Sequence, residues 1–270
     1  MTAAVVASAP KRAKPAPGGL RSAGSALDAL ECFATDSELG VTDVARRLNV
    51  AKSTAHRLVQ TLCSRGFAEQ DPNTGRYRLG MHVYELGYLA QARSDYRRAA
   101  LPHMHDIAVA TELNVNFAVP DGSDVVFVES IETGSASHIV ERTGRRLPMH
   151  GTSSGKAIAA FNPSAAQDRI DAGFPVLASR TVRNSEDWER ALEQVRRHGF
   201  AIAHHEAFEE LTSIAVPVLR HRRAVAAISV FASTADIVPD LDRIRGLLTT
   251  ASQRIAADLA RGPGVEDALR

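Results

Sequence analysis

The segment from Val41 to Leu58 constrains this chain more than any other. Apolar residues recur at helical spacing in Val44, Ala45 and Leu48, and again in Ala55, Leu58, Val59 and Leu62, with Asn49 and Val50 between the two runs. The pattern predicts two short amphipathic helices joined by a tight turn. Thr42 is placed to cap the first, with Asp43 in its first turn, where the helix dipole favours negative charge. The second spans about 52–65 and stops at Gly66. Its outer face offers Lys52, Ser53, Thr54, His56, Arg57, Gln60 and Thr61. A helix with polar donors at its exposed start is shaped to enter a DNA major groove. Ala26, Leu27, Leu30 and Phe33 predict an earlier helix over 22–34.

The residues beyond Gly66 strengthen that reading. Asp71 to Gly75 reads as a turn flanked by short strands. A hairpin directly after the third helix is the wing of a winged helix-turn-helix. Arg76 and Arg78 alternate with Tyr77, so both reach one face, toward phosphate or a minor groove. Charge is divided in the same sense. Residues 1–98 carry 14 Lys/Arg and 9 Asp/Glu, a net +5, whereas residues 99–270 carry 18 and 22, a net −4. Phosphate contact needs the basic part where it is.

Residues 22–90 resemble the IclR family of bacterial transcription regulators. The resemblance is carried by Ala26-Leu27, Val44-Ala45-Arg46-Arg47-Leu48, Lys52-Ser53-Thr54, His56-Arg57-Leu58, Leu62, Arg65-Gly66, Gly75-Arg76-Tyr77-Arg78-Leu79-Gly80 and Leu86-Gly87. It implies an α+β chain with an N-terminal winged helix-turn-helix, a linker helix and a C-terminal effector-binding domain. The last would have a GAF-like fold with an antiparallel sheet. The resemblance extends over roughly 22–260 and implies dimers or dimers of dimers.

The remaining sequence fits this plan. Residues 1–20, rich in Ala, Pro, Gly and Lys, read as a disordered basic arm. Their apolar stretch precedes the basic residues, the reverse of a secretory signal. The winged unit is expected over 21–80 and a linker or dimerisation helix over 81–97, with an apolar side in Met81, Val83, Tyr84, Leu86, Leu89 and Ala90. The effector-binding domain is expected over 98–262, opening on a helix of about 98–112 with Pro102 in its first turn, and a tail over 263–270. Strand-like runs are 115–119, 125–131, 137–142, 200–204, 212–219 and 225–231; helix-like runs are about 154–161, 164–172, 186–198 and 237–261. Two cysteines, Cys32 and Cys63, do not make a disulfide framework. No apolar run approaches the roughly 20 residues that span a bilayer. A cytoplasmic protein is expected, with no cofactor and no membrane partner.

One local pattern looks like a phosphate loop and is not. Gly151-Thr152-Ser153-Ser154-Gly155-Lys156-Ala157 has three residues between its glycines, where a P-loop has four, and Ala after the lysine, where a P-loop has Ser or Thr. Pro148 and His150 precede it instead of a buried strand. Backbone N–H groups near Ser153, Ser154 and Gly155, at a helix start, would suit a small carboxylate. Residues 212–219 and 225–231 predict a hairpin about His221, which sets Ser213 roughly opposite Ser229. Ser213, Ala215, Pro217, Ala227, Ser229 and Phe231 share one face; Ile214, Val216, Val218, Ile228 and Val230 share the other and read as core. The resemblance assigns effector contacts to Leu147, Ser153, Ser154, Ser213 and Ser229. Phe231 stands where a small polar residue can occur, which predicts a smaller or more apolar pocket.

The chain departs from the family pattern at Ala203-His204-His205-Glu206, where acidic residues are common, and at Glu210, where glycine is. A metal held by both histidines is disfavoured because adjacent strand residues face opposite ways. One of them, His204 or His205, is instead a candidate contact for an anionic effector. The expected partners are double-stranded DNA, as a palindromic operator, a small organic acid or related metabolite, and a second copy of the chain. Two other readings compete. One is a metal-dependent hydrolase fused to a DNA-binding head, for which no Ser/His/Asp order or nucleophile elbow speaks. The other is a DNA-binding protein that ignores ligands.

Overall fold

The computed structural model describes residues 20–34, 36–133 and 146–261. The sequence expectations for residues 1–19, for a strand over 137–142 and for the tail over 263–270 fall outside them. The chain divides into two units that meet between Arg93 and Ser94.

The N-terminal unit is built on α1 (Arg21–Glu31), α2 (Val41–Leu48) and α3 (Lys52–Ser64), then the hairpin β1 (Ala68–Gln70) and β2 (Tyr77–Leu79) and helix α4 (Met81–Ala92). Its core gathers Ala29, Phe33, Leu39, Val44, Val59, Leu62 and Tyr77. Thr42 does not cap α2. Gly40 is the cap, and the Asp43 carboxylate accepts its N–H at 3.2 Å, so Thr42 lies exposed one residue inside the helix. Asn49 ends α2 in the left-handed region at φ 52°, a conformation asparagine tolerates. The wing turn closes on Asp71, whose carboxylate accepts the amides of Asn73 and Thr74 at 2.7 and 2.9 Å. Leu39 pairs with Tyr77 and adds an unpredicted third segment to the wing. Gly80 lies against the Gly66 carbonyl, where a Cβ would come within 2.2 Å of its oxygen, so only glycine lets the hairpin turn into α4.

The C-terminal unit opens on α5 (Asp95–Thr111), capped by Ser94, whose hydroxyl accepts the Arg97 amide. The helix thus begins earlier than about 98, and Pro102 falls inside it. Pro102 has no N–H for the carbonyl one turn back. Strands β3 (Asn114–Asp121), β4 (Asp124–Ile131), β5 (Arg146–Pro148), β6 (Ala201–His204), β7 (Leu211–Arg220) and β8 (Arg223–Ser233) form one antiparallel sheet in the order β5-β4-β3-β8-β7-β6. Helices α6 (Ser153–Ala160), α7 (Pro163–Ala172) and α8 (Ser185–His198) lie between β5 and β6 in the chain, and α9 (Thr234–Ile237) and α10 (Leu241–Arg261) follow the sheet. The short strand β5 is an addition to the expected set. Pro148 speaks against a central strand, but β5 lies at the sheet edge, where proline is tolerated.

The two faces of the sheet are the two faces of the β7/β8 alternation. Ile214, Val216, Val218, Ile228 and Val230 join Met104, Ile107, Ile244, Leu248 and Ile255 in a core with α5 and α10. Ala215 and Ala227 join Ile158, Trp188 and Leu192 in a second core with α6 and α8. The hairpin turn uses His221 and Arg222, both at positive φ (48° and 66°), as a two-residue turn requires. A bulge between Val218 and Leu219 then shifts the pairing, so Ser213 faces Phe231 and Ser229 faces Ala215. The turn and the bulge each move the pairing by one residue from a centre on His221, two in all, which preserves the face. Among the described residues no helix is long and apolar enough to cross a membrane.

Candidate functional site

Two regions carry chemistry, one in each unit. In the first, α3 buries Ala55, Val59 and Leu62 and exposes Lys52, Ser53, Thr54, His56 and Arg57. No side chain caps the helix at Ala51, and among its first amides that of Thr54 is taken by the Ala51 carbonyl at 2.9 Å. Gln60 is not free as expected: it donates to the buried Tyr77 hydroxyl at 3.1 Å and ties the helix to the wing. The wing arginines are engaged as well. Arg76 donates to the Glu38 carbonyl at 2.9 Å, and Arg78 pairs with Glu69 at 2.5 Å, both partly exposed. Arg46 pairs with Asp43 at 2.9 Å, and Arg47 with Asp36. Lys52, His56 and Arg57 have no ion pair among the described residues. The unit therefore engages the arginines of α2 and the wing and leaves the cations of α3 without an ion pair among the described residues.

In the second region, a cavity of about 70 Å³ opens over the sheet beneath the start of α6. Leu147, Ser153, Ser154, Ser213, Ser229 and Phe231 line it together, although they come from separate elements. Three other candidates do not line it. Gly155 is packed on Met149, where a Cβ would lie 2.2 Å from the carbonyl oxygen, and its N–H is taken by the Thr152 hydroxyl at 3.0 Å. The amides of Ser153 and Ser154 remain as first-turn donors. His204 alternates with Ala203, which faces the cavity, and so points away from it. Its Nδ1 lies 3.0 Å from the Thr212 hydroxyl. His205 turns out of the strand at φ 56°, with its Nε2 2.8 Å from the Thr234 hydroxyl. The two hydroxyls are themselves 2.7 Å apart, so both histidines serve a network outside the cavity.

Sequence reasoning missed Asn116, Phe127 and Phe208, which also line the cavity. Asn116 was findable, as a polar residue between core-facing Val115 and Phe117. Phe208 was not, because it lies on an irregular loop after β6. That loop is pinned from below. The Lys156 ammonium, nearly fully buried, meets the Glu206 carboxylate at 2.5 Å and donates to the Ile202 carbonyl at 3.2 Å. The Thr181 hydroxyl donates to the Glu206 carbonyl at 2.6 Å. Burial pushes the Lys156 ammonium down and the Glu206 carboxyl up, each opposed by the other's charge. The lysine of the apparent phosphate loop is thus an internal strut.

His150, just ahead of α6, is fully buried. Its Nε2 faces the Pro175 carbonyl at 2.9 Å and must carry the ring proton, and Nδ1 has no partner among the described residues. Burial, with the nearby Arg169 and Lys156 cations, holds its pKa down to about 4. The unfolded chain binds a proton there as pH falls through about 6.5, while the folded chain refuses it until about 4. His150 therefore withdraws stability on acidification, by about 2 kcal/mol between pH 7 and pH 5. Urea unfolding at the two pH values should show the wild type losing that much more than His150→Gln. Equal losses would mean the imidazole is not held neutral.

Comparisons with known proteins give these two regions a context. Residues 22–72 match the family model for the IclR helix-turn-helix domain, and residues 89–257 match the model for the bacterial transcriptional regulator IclR C-terminal region. The chain is 32% identical over 222 residues to the HTH-type transcriptional regulator XynR of Escherichia coli, a match that covers 81% of this chain and 88% of that protein. It is 32% identical over 231 residues to the glycerol operon regulatory protein of Streptomyces griseus, covering 84% and 91%. A crystal structure of an IclR homolog from Microbacterium hydrocarbonoxydans, complexed with 4-hydroxybenzoate, aligns with TM-score 0.77 at 28% identity over 89% of this chain and 100% of the other. These relatives are transcriptional regulators, not enzymes, which removes the hydrolase reading.

Proposed function

The chain belongs to the IclR family of bacterial transcriptional regulators, and from that membership we propose how its two units divide the work. Helix α3 enters the major groove, with Arg57 and His56 at base edges and Lys52, Ser53 and Thr54 on the flanking phosphates. Arg76 and Arg78 follow the adjacent backbone by exchanging their present partners for phosphate, and exposed Thr42 adds a neutral backbone contact. The observation that carries this reading is the cationic face of α3, which has no ion pair among the described residues, beside α2 and wing arginines that are each engaged. Helix α4 has no buried residue within the chain and exposes Met81, Tyr84, Leu86, Tyr88 and Leu89. Such a face supports a homodimer or dimer of dimers, and a dimer reads a palindromic operator in the cytoplasm.

The cavity of the second unit takes a small organic acid. Its phenylalanine walls and the 4-hydroxybenzoate held by the Microbacterium homolog favour an aromatic acid. Ligand uptake shifts the DNA-binding equilibrium through the linker, by about 1–3 kcal/mol, or roughly 5–150-fold in affinity.

Selection of bound duplexes from a random-sequence pool by the full chain tests this. The expected result is an enriched inverted repeat, whose affinity for the protein changes within that range when 4-hydroxybenzoate is added. A pool with no enriched sequence would sink the DNA-binding assignment. An enriched repeat indifferent to a panel of aromatic and aliphatic acids would favour a ligand-independent binder.

A further inference from the structure

The cavity contains a donor to which no role has yet fallen. Asn116 is 7% exposed and lines the cavity from β3. It pairs across the sheet with Ser229 on one side and Ser130 on the other. The Ser130 hydroxyl donates to the Asn116 carboxamide oxygen at 2.7 Å. That bond sets the amide's orientation and turns its NH2 away from β4. Among the described residues nothing accepts from this NH2.

Its neighbours have spent their protons. The Ser154 hydroxyl donates to Ser229 at 3.0 Å, and the Ser229 hydroxyl is directed at the Asn116 backbone carbonyl at 3.5 Å. Of the three side chains that meet at this corner, Ser154, Ser229 and Asn116, the Asn116 NH2 is thus the donor left without an acceptor among the described residues; the Ser153 and Ser213 hydroxyls are further donors elsewhere in the lining. The NH2 opens to the cavity, and a ligand that fills the space without supplying an acceptor would bury it unmet at a cost of about 1–3 kcal/mol, so a ligand with an acceptor there is selected over one without. The first-turn amides of α6 add donors of the same kind, and the helix start favours negative charge. Among the described residues no charged side chain lines the cavity. Donors without a cation suit a single carboxylate, and the apolar walls of Phe127, Phe208 and Phe231 suit a ring attached to it.

We propose that Asn116 is a specificity-determining ligand contact, whose NH2, oriented by Ser130, donates to the carboxylate of an aromatic monocarboxylic acid. The proposal rests on the pocket's role as the effector site and adds a residue and a rule to it: the ligand must present an acceptor to β3.

Calorimetric titration of the full chain with benzoate and with benzamide tests it. Wild type should prefer benzoate. Asn116→Asp replaces the NH2 with an oxygen that repels a carboxylate and accepts from an amide, so the benzoate-to-benzamide preference should fall by about tenfold or more. Asn116→Ala, checked by its thermal melt to be folded, should weaken benzoate without raising benzamide. A role in packing alone moves both ligands together, so an unchanged preference in Asn116→Asp overturns the proposal. Ala203→Phe, which fills the cavity, separates the two layers. If it abolishes benzoate uptake while Asn116→Asp leaves the preference intact, the pocket reading stands and the role of Asn116 falls. A wild type that takes up neither compound overturns both.

Discussion

Lys156→Met is expected to destabilise the C-terminal unit by about 3–5 kcal/mol, the cost of breaking a buried ion pair by removing one partner. Methionine matches the length of the lysine stem, so the packing of α6 survives and the loss falls on electrostatics. The Glu206 carboxylate would remain buried with one oxygen already without a partner among the described residues. Glu206→Gln is milder, because its amide still accepts from the lysine. The double variant Lys156→Met with Glu206→Leu should recover most of the stability, since buried pairs barely offset their own desolvation. Chemical unfolding of the four proteins completes the comparison, and equal stabilities of Lys156→Met and wild type would refute the strut. The consequence reaches the cavity, because Glu206 precedes Ala207 and Phe208, which line it. The double variant therefore isolates function from stability. If it folds as wild type does but binds acid more weakly, the pair places the loop as well as holding it.

The loop also shows where sequence reasoning stops. Faces were legible because parity along one strand is a property of the chain alone: Ser229 and Phe231 share a face whatever the pairing, and Ser213 joins them because its register differs from the expected one by an even number of residues. The register was not, because a bulge at Val218/Leu219 and the two-residue turn at His221-Arg222 move the partners by two positions without changing any residue's face. The helix-turn-helix was legible because its core is local. Gln60 lies on the outer face as expected, but its bond to Tyr77 was not legible because that partner lies 17 residues on, across the wing. Lys156 invited a phosphate-loop comparison, and only the fold shows that it meets a carboxylate 50 residues away. His204 and His205 drew attention as an adjacent pair, yet the pleat that argued against a shared metal also turns His204 from the cavity. Local spacing identifies elements and faces; the choice of partner for a polar side chain is settled by contacts distant in sequence.

Substitution in α3 should have the largest effect on DNA. Arg57→Ala removes a cation from the exposed face without touching the core formed by Ala55, Val59 and Leu62. Loss of a base-edge arginine costs about 1–3 kcal/mol and relaxes specificity at the base it reads. A dimer presents the helix twice, so the loss at a palindrome is about 2–6 kcal/mol if the half-sites act independently. Lys52→Ala acts differently. As a phosphate contact it should weaken all duplexes alike and make the salt dependence shallower by about 0.9 in the log-log slope per contact. Salt titration of gel-shift affinity on matched and mismatched duplexes separates the two roles. Arg57→Ala should lose the matched preference, and Lys52→Ala should keep the preference at a reduced slope. Binding of acid by the C-terminal unit should be unaltered in both, since neither residue belongs to that unit. Unchanged affinity in both variants would remove α3 from the groove and leave the wing arginines to carry the contact. Arg76→Ala and Arg78→Ala would then show the loss, after breaking the bonds to Glu38 and Glu69 that now hold them.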